Sequence, residues 1–231
     1  KIYDWLGWLE QQLSYPVHRV SWRDLRQDIL DASVGKYKEF TAPFFTKNAT
    51  TGKTGILRRQ CTANYKIRPV VRGMLGLAKG EKRKTGTHVE MLMGISMDEV
   101  ARIRQNRLGY IHNIYPLVEE RITRQGCSQW MVGHGYPVPP RSACTFCPFH
   151  SSEEWLKVKE DKDEWEDVVN LDKAIRLQER FKKGNEGSAT VTDELFLHRD
   201  CVPIDQINFD EHEGWQQLDL FTNECEGMCG V

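Results

Sequence analysis

The chain has 231 residues, 39% hydrophobic and 28% charged, with a formal charge of -1 from 32 basic and 33 acidic residues. That length suits one large domain, or a domain with an appendage, around a core of its own; the composition excludes a disordered or fibrous chain, and the near-neutral balance excludes a surface built throughout for nucleic acid. No apolar run approaches the roughly 20 residues of a membrane helix, and seven unevenly spread cysteines with no signal peptide ahead of them give a reducing cytoplasm as the expected compartment.

In chain order, Trp5, Leu6, Leu9 and Leu13 have helical spacing, and the start at Lys1 without methionine reads as an internal point of something longer. Pro16 interrupts. Val17 to Val20 then reads as a short strand, and Trp22 to Ala32 as a helix through Trp22, Leu25, Ile29 and Leu30. Residues 33–59 show no periodicity and read as a loop region rich in basic residues. A helix is expected from about Pro69 past Leu75, then a polar basic turn, then a buried strand over His88 to Ser96. Ser96 and Glu99 have capping-box spacing and predict a helix through Val100 and Ile103. Asn113 to Glu119 is a short apolar segment broken by Pro116, and Glu120 to Gly133 reads as a helix. Ser151 and Glu154 repeat the capping-box spacing ahead of a charged helical region with Val168, Leu171, Ile175 and Phe181 on its buried face. A last strand is expected over Ile204 to Phe209.

Two superficial motifs carry little. Gly52-Lys53-Thr54 matches the end of a phosphate-binding loop, but Lys47 stands where its first glycine belongs. His198-Arg199-Asp200 has the letters of a kinase catalytic loop with none of its companions.

Stronger is the crowding of Lys47, Lys53, Arg58, Arg59, Lys66, Arg68 and Arg72 around Cys61, which suits phosphate or sulfate oxygens as well as it suits a solvated loop. Cys144 and Cys147 form a CxxC in Ser142 to His150, with Pro148 restricting Cys147 to an extended or turn conformation. In a reducing compartment this spacing suits a metal or cluster, a redox dithiol, or packing. A thioredoxin-type dithiol would lie early in a small βαβ domain, whereas this pair follows a proline-rich loop late in the chain. Candidate further ligands are Cys61, His150, Cys225 and Cys229; Cys127 reads as helix packing, and Cys201 has no partner in sequence.

Taken together, Arg58 to Val70, Met93 to Arg104 followed by Ile114 to Glu119, and Ala143 to His150 resemble the phosphoadenosine phosphosulfate reductase family of the adenine nucleotide alpha hydrolase superfamily, in its iron-sulfur branch. The resemblance implies an α/β domain over residues 1–183, three-layered, with a mostly parallel central sheet flanked by helices and lacking its first strand. A C-terminal extension, 184–231, carries Cys225 and Cys229. In that branch a Cys-Cys pair in a K-x-x-P context and a later CxxC bind a 4Fe-4S cluster. Here Cys61 stands alone in that context with Lys66 and Pro69, 83 positions before Cys144, so one family ligand is absent. A fourth ligand from His150, Cys225 or Cys229, an open iron site, or zinc would each resolve this. The family's S-G-G-x-D-S pyrophosphate loop does not occur, and Glu224-Cys225 is all that matches its C-terminal catalytic segment.

The implied activity is that of an oxidoreductase or sulfurtransferase, acting on an adenylylated or sulfated nucleotide or thiolating an acceptor, such as a nucleic acid, with ATP. ATP or adenylyl sulfate would be the substrate, held by Lys53, Arg58, Arg59, Lys66 and Arg68; Cys225 would be the nucleophile, and a protein such as thioredoxin the reductant. The alternative is a non-catalytic, nucleic-acid-associated zinc module closed by Cys61, Cys144, Cys147 and His150. No membrane partner is expected.

Overall fold

The computed structural model describes residues 2–36, 41–77, 81–140, 142–176 and 193–212. In chain order the elements are α1 (Ile2–Gln12), α2 (Leu25–Ser33), β1 (Phe45–Lys47), β2 (Thr54–Ile56), a π turn (Ala63–Ile67) running into α3 (Arg68–Met74), and β3 (Val89–Leu92). After a 3-10 segment (Met97–Arg102) come β4 (Ile111–Ile114), α4 (Pro116–Glu119), α5 (Arg124–Gly133), α6 (Ser152–Lys159), α7 (Lys162–Arg176) and β5 (Glu194–Phe196), then 3-10 turns at Ile204–Gln206 and Phe209–His212. The protein is mixed α/β. No described helix is long and apolar enough to cross a membrane.

The chain divides into two compact units, interleaved in sequence: one holds residues up to Ser21 and Lys66–Ser142, the other Trp22–Tyr65 and the described residues from Ala143 onward. This differs from the expected division at 183/184. Residues 193–212 are no appendage, because β5 pairs with β1 and Leu195, Leu197, Ile204 and Phe209 are buried in the core of the second unit.

In the first unit β3 and β4 pair in parallel, Val89 opposite Ile111 and Leu92 opposite Ile114. Met91, Met93, Ile95, Ile111 and Val71 form the core beneath them. The strand expected over 88–96 is therefore present only as Val89–Leu92, and it is covered on one face, with Leu92 70% exposed on the other. The helix expected from Ser96 is a 3-10 segment instead. Ser96 Oγ donates to the Glu99 carboxylate at 3.0 Å rather than capping backbone N–H groups, and that buried carboxylate also receives Arg102 and Arg124. Two arginines outcompete the Ser96 backbone for Glu99, so the reciprocal cap does not close. Val17 to Val20, expected as a strand, has no ladder partner among the described residues; Val20 lies against α3, where a Cβ added at Gly73 would collide with it.

In the second unit β2, β1 and β5 form an antiparallel sheet in that order, with Phe45 opposite both Ile56 and Phe196. The connection between β1 and β2 is a hairpin. Asn48 Oδ1 accepts from the backbone of Thr50 and Thr51, and Gly52 takes a φ of +69°, so Gly52-Lys53-Thr54 is turn chemistry and not a strand-to-helix phosphate loop. Helix α7 packs against β5, and α2 and α6 pack on α7, with Ile29, Phe44, Trp155, Leu171 and Ile175 among the fully interior residues and Phe146 buried beside them. Val168, Leu171 and Ile175 lie on the buried face of α7 as their spacing predicts; Phe181 falls outside the described residues. The strand expected over Ile204 to Phe209 is a pair of 3-10 turns, and the nearby strand is β5.

Candidate metal centre

Cys144 and Cys147 sit on two consecutive turns. The Cys147 N–H donates to the Cys144 carbonyl at 3.0 Å, and the His150 N–H donates to the Cys147 carbonyl at 3.1 Å. Pro148 leads the second turn, where its fixed φ suits the position. Phe146, between the cysteines, is buried in the core and anchors the loop from inside. Immediately after His150 the expected capping box is present: Ser151 Oγ accepts from the Glu154 N–H at 3.3 Å and the Glu154 carboxylate accepts from the Ser151 N–H at 2.9 Å. The cap starts α6 where the turns end. Ser151→Ala is expected to cost about 1 kcal/mol in unfolding free energy, measurable by urea denaturation.

Cys61 arrives from the other side of the sequence. Its N–H and that of Gln60 both donate to the Thr41 carbonyl, at 2.8 and 2.9 Å, fixing the start of the helical run to the buried residues that lead into β1. Downstream, Tyr65 donates its hydroxyl to Asp28, a buried carboxylate on α2 that also receives Arg23. The π turn over Ala63–Ile67 has a local cause: in an ordinary α-helix the Pro69 ring would collide with the Tyr65 carbonyl, and the wider turn relieves this. The K-x-x-P context of Cys61 is thus a backbone device as well as a source of charge.

These two limbs act on one another at Cys147. Burial above all pushes its thiol up to about 11, against a hydrogen bond from the Phe149 backbone. Cys144 and then Cys61 add to the rise, and the Arg59 guanidinium opposes it. Cys61, Cys144 and Cys147 are all half-buried. Cys61 thus stands within electrostatic reach of Cys147 in the folded chain, although 86 positions separate them. Among the described residues, no group of three or more His, Cys, Asp or Glu side chains is already set at metal-holding geometry. In donor chemistry three thiols suit a soft centre, iron-sulfur or zinc. Cys147 keeps its proton at neutral pH, so a metal that takes its sulfur must release that proton.

No family model, curated protein or solved structure matches the chain.

The other expected site residues lie on several elements. Lys53 and Arg58 are exposed, Lys53 in the β1–β2 hairpin, while Arg59 is half-buried with its guanidinium 5.4 Å from the Phe149 ring centre. Lys66, in the π turn, and Arg68, at the start of α3, belong to the other unit. The basic set read as one cluster in sequence therefore divides between units. His150 stands directly after the CxxC, its ring edge-on to Trp155 with centres 4.7 Å apart. Cys127 is half-buried on α5, and Cys201 is buried in a left-handed conformation (φ 52°) with its sulfur facing the Thr46 carbonyl. Cys225 and Cys229 lie outside the described residues.

Arg59 on Phe149 is a contact that sequence reading missed. The only signal for it was an arginine two residues before one cysteine and an aromatic two residues after another.

Proposed function

We propose that the protein is a sulfur-transfer or reductive enzyme of the phosphoadenosine phosphosulfate reductase type, with Cys61, Cys144 and Cys147 as ligands of a 4Fe-4S cluster. The observation that carries this reading is that Cys61 and Cys144 both bear electrostatically on Cys147, from limbs far apart in sequence. A bound cluster would supply electron transfer or activation of sulfur. The chain's own residues would hold it in half-buried surroundings, with Phe146 and Phe149 limiting water at the CxxC turn and Arg59 balancing thiolate charge. In this reading the parallel pair β3–β4 is part of a larger, mostly parallel three-layer sheet, and Cys225 is the nucleophile, with thioredoxin or a similar protein as reductant.

ATP or adenylyl sulfate is the proposed substrate, met by Lys53, Arg58 and Arg59 of the second unit. Residues 66–142 carry 13 Lys and Arg against six Asp and Glu in a chain of net charge -1, which also suits a nucleic-acid acceptor for thiolation. The working compartment is the cytoplasm. The test is product analysis: full-length protein, reconstituted anaerobically, should release AMP and sulfite from adenylyl sulfate when given a dithiol reductant, or AMP and pyrophosphate from ATP when given an RNA acceptor and sulfide as the sulfur donor. Metal-loaded protein that turns over neither nucleotide contradicts the reading.

Residues 1–231 alone are expected to bind ATP or adenylyl sulfate more weakly than about 100 µM, because the stretch lacks a glycine-rich loop whose backbone N–H groups cradle phosphate. Isothermal calorimetry checks this. Micromolar binding that survives Arg58→Gln/Arg59→Gln would place the nucleotide elsewhere.

A second reading rests on the position of His150, whose N–H bonds the Cys147 carbonyl on the same pair of turns. It would complete a Cys3His zinc site in a structural, nucleic-acid-associated module without catalysis.

A further inference from the structure

The Arg59 guanidinium lies 5.4 Å from the centre of the Phe149 ring, a cation-π contact between residues 90 positions apart. Arg59 precedes Cys61 by two residues, and Phe149 follows Cys147 by two. The contact therefore ties the Cys61 limb to the CxxC turn just outside the two cysteines, within the second unit. Arg58, the neighbour of the same charge, is exposed, so the two arginines of the pair differ in kind.

We propose that Arg59 is a positioning residue of the thiol site: stacked on Phe149, it draws the Cys61 limb onto the CxxC turn and sets a fixed positive charge beside the metal-bound thiolates. This rests on the reading of Cys61, Cys144 and Cys147 as metal ligands, and it assigns Arg59 to the cysteines rather than to the substrate anion. A three-thiolate site around a divalent ion has net negative charge, and an adjacent cation that needs no reorganisation stabilises it. Arginine suits the role because its planar, weakly hydrated head can stack on a ring and keep its charge.

The test is anaerobic titration of reduced, metal-free full-length protein with Co2+, followed through its thiolate-to-cobalt absorption, with Zn2+ affinity then measured by competition. Wild type and Lys157→Gln, which neutralises an exposed residue of α6 in the same unit, should bind alike. Arg59→Gln should bind roughly tenfold more weakly, Arg59→Lys should recover much of the loss, and Phe149→Leu should weaken binding while keeping the charge. Thermal unfolding of the metal-free variants should match wild type, since a merely structural role would lower the melting temperature and would not be rescued by lysine. If Arg59→Gln binds as wild type does, the Arg59 proposal is overturned and the thiol site stands. Wild type that gives no thiolate-cobalt absorption overturns the thiol site itself and Arg59's role with it.

Discussion

Cys144→Ala and Cys147→Ala are each expected to strip the metal from anaerobically purified protein, leaving iron and acid-labile sulfide below about a tenth of the wild-type content, because each change removes a thiolate from a site with few to spare. Cys61→Ala should do the same. This third variant is the informative one, since Cys61 comes within electrostatic reach of the CxxC only through the fold, its limb fixed by the bonds of its N–H to Thr41 and of Tyr65 to Asp28. The control is Cys127→Ala, which removes a half-buried thiol from α5, in the other unit, and should leave metal content unchanged. Visible absorbance and metal analysis read all four variants. Full metal retention in Cys61→Ala would separate that residue from the centre.

Asp172→Ala is expected to destabilise the second unit by about 3–5 kcal/mol, the range for removing one partner from a buried charged network. Asp172 is fully buried on α7, where Oδ1 accepts from the Leu197 N–H at 3.2 Å and Oδ2 accepts from the Ile204 N–H at 3.1 Å and from Arg176 Nε at 3.0 Å. It thereby pins the chain that follows β5 to the helix. Alanine leaves two buried N–H groups and a largely buried guanidinium without this acceptor. Asp172→Asn should cost less, since one amide oxygen still accepts on one side while the amide nitrogen faces donors on the other. Burial holds this carboxyl above its ordinary range despite the donors around it. Its ionised form is therefore penalised by folding, and stability gained from this group rises as pH falls through the folded pKa towards the unfolded value. Urea denaturation at neutral pH measures the loss; a change under about 1 kcal/mol would mean that the network is replaceable by water.

Periodicity made some of this legible in advance. The apolar positions of α7, the helical spacing in α2 and the Ser151–Glu154 cap each depend on contacts a few residues apart, which a sequence displays directly. Strands β1 and β2 were hidden because three residues each, Phe45–Lys47 and Thr54–Ile56, are too short to show alternation, and the turn between them carries the letters of a phosphate loop. Ser96 and Glu99 had the spacing of a cap, yet two arginines, the nearby Arg102 and the distant Arg124, decide what Glu99 does. Spacing alone cannot count such rivals.

The site divides in the same way. The CxxC turn is local and was readable, as was the kinship of Cys61 with a basic, proline-bearing segment. The π turn that Pro69 imposes, the burial that keeps Cys147 protonated and the Arg59 contact with Phe149 arise only once distant segments pack. So does the division of the basic residues: Arg59 and Arg68 are nine apart in sequence and belong to different units.

The most direct measurement is metal and acid-labile sulfide analysis of wild-type full-length protein purified without oxygen. The proposed function predicts brown protein with about four iron and four sulfide per chain. Colourless protein carrying one equivalent of zinc and no sulfide would contradict it, and would leave the Cys3His structural module as the account of these cysteines.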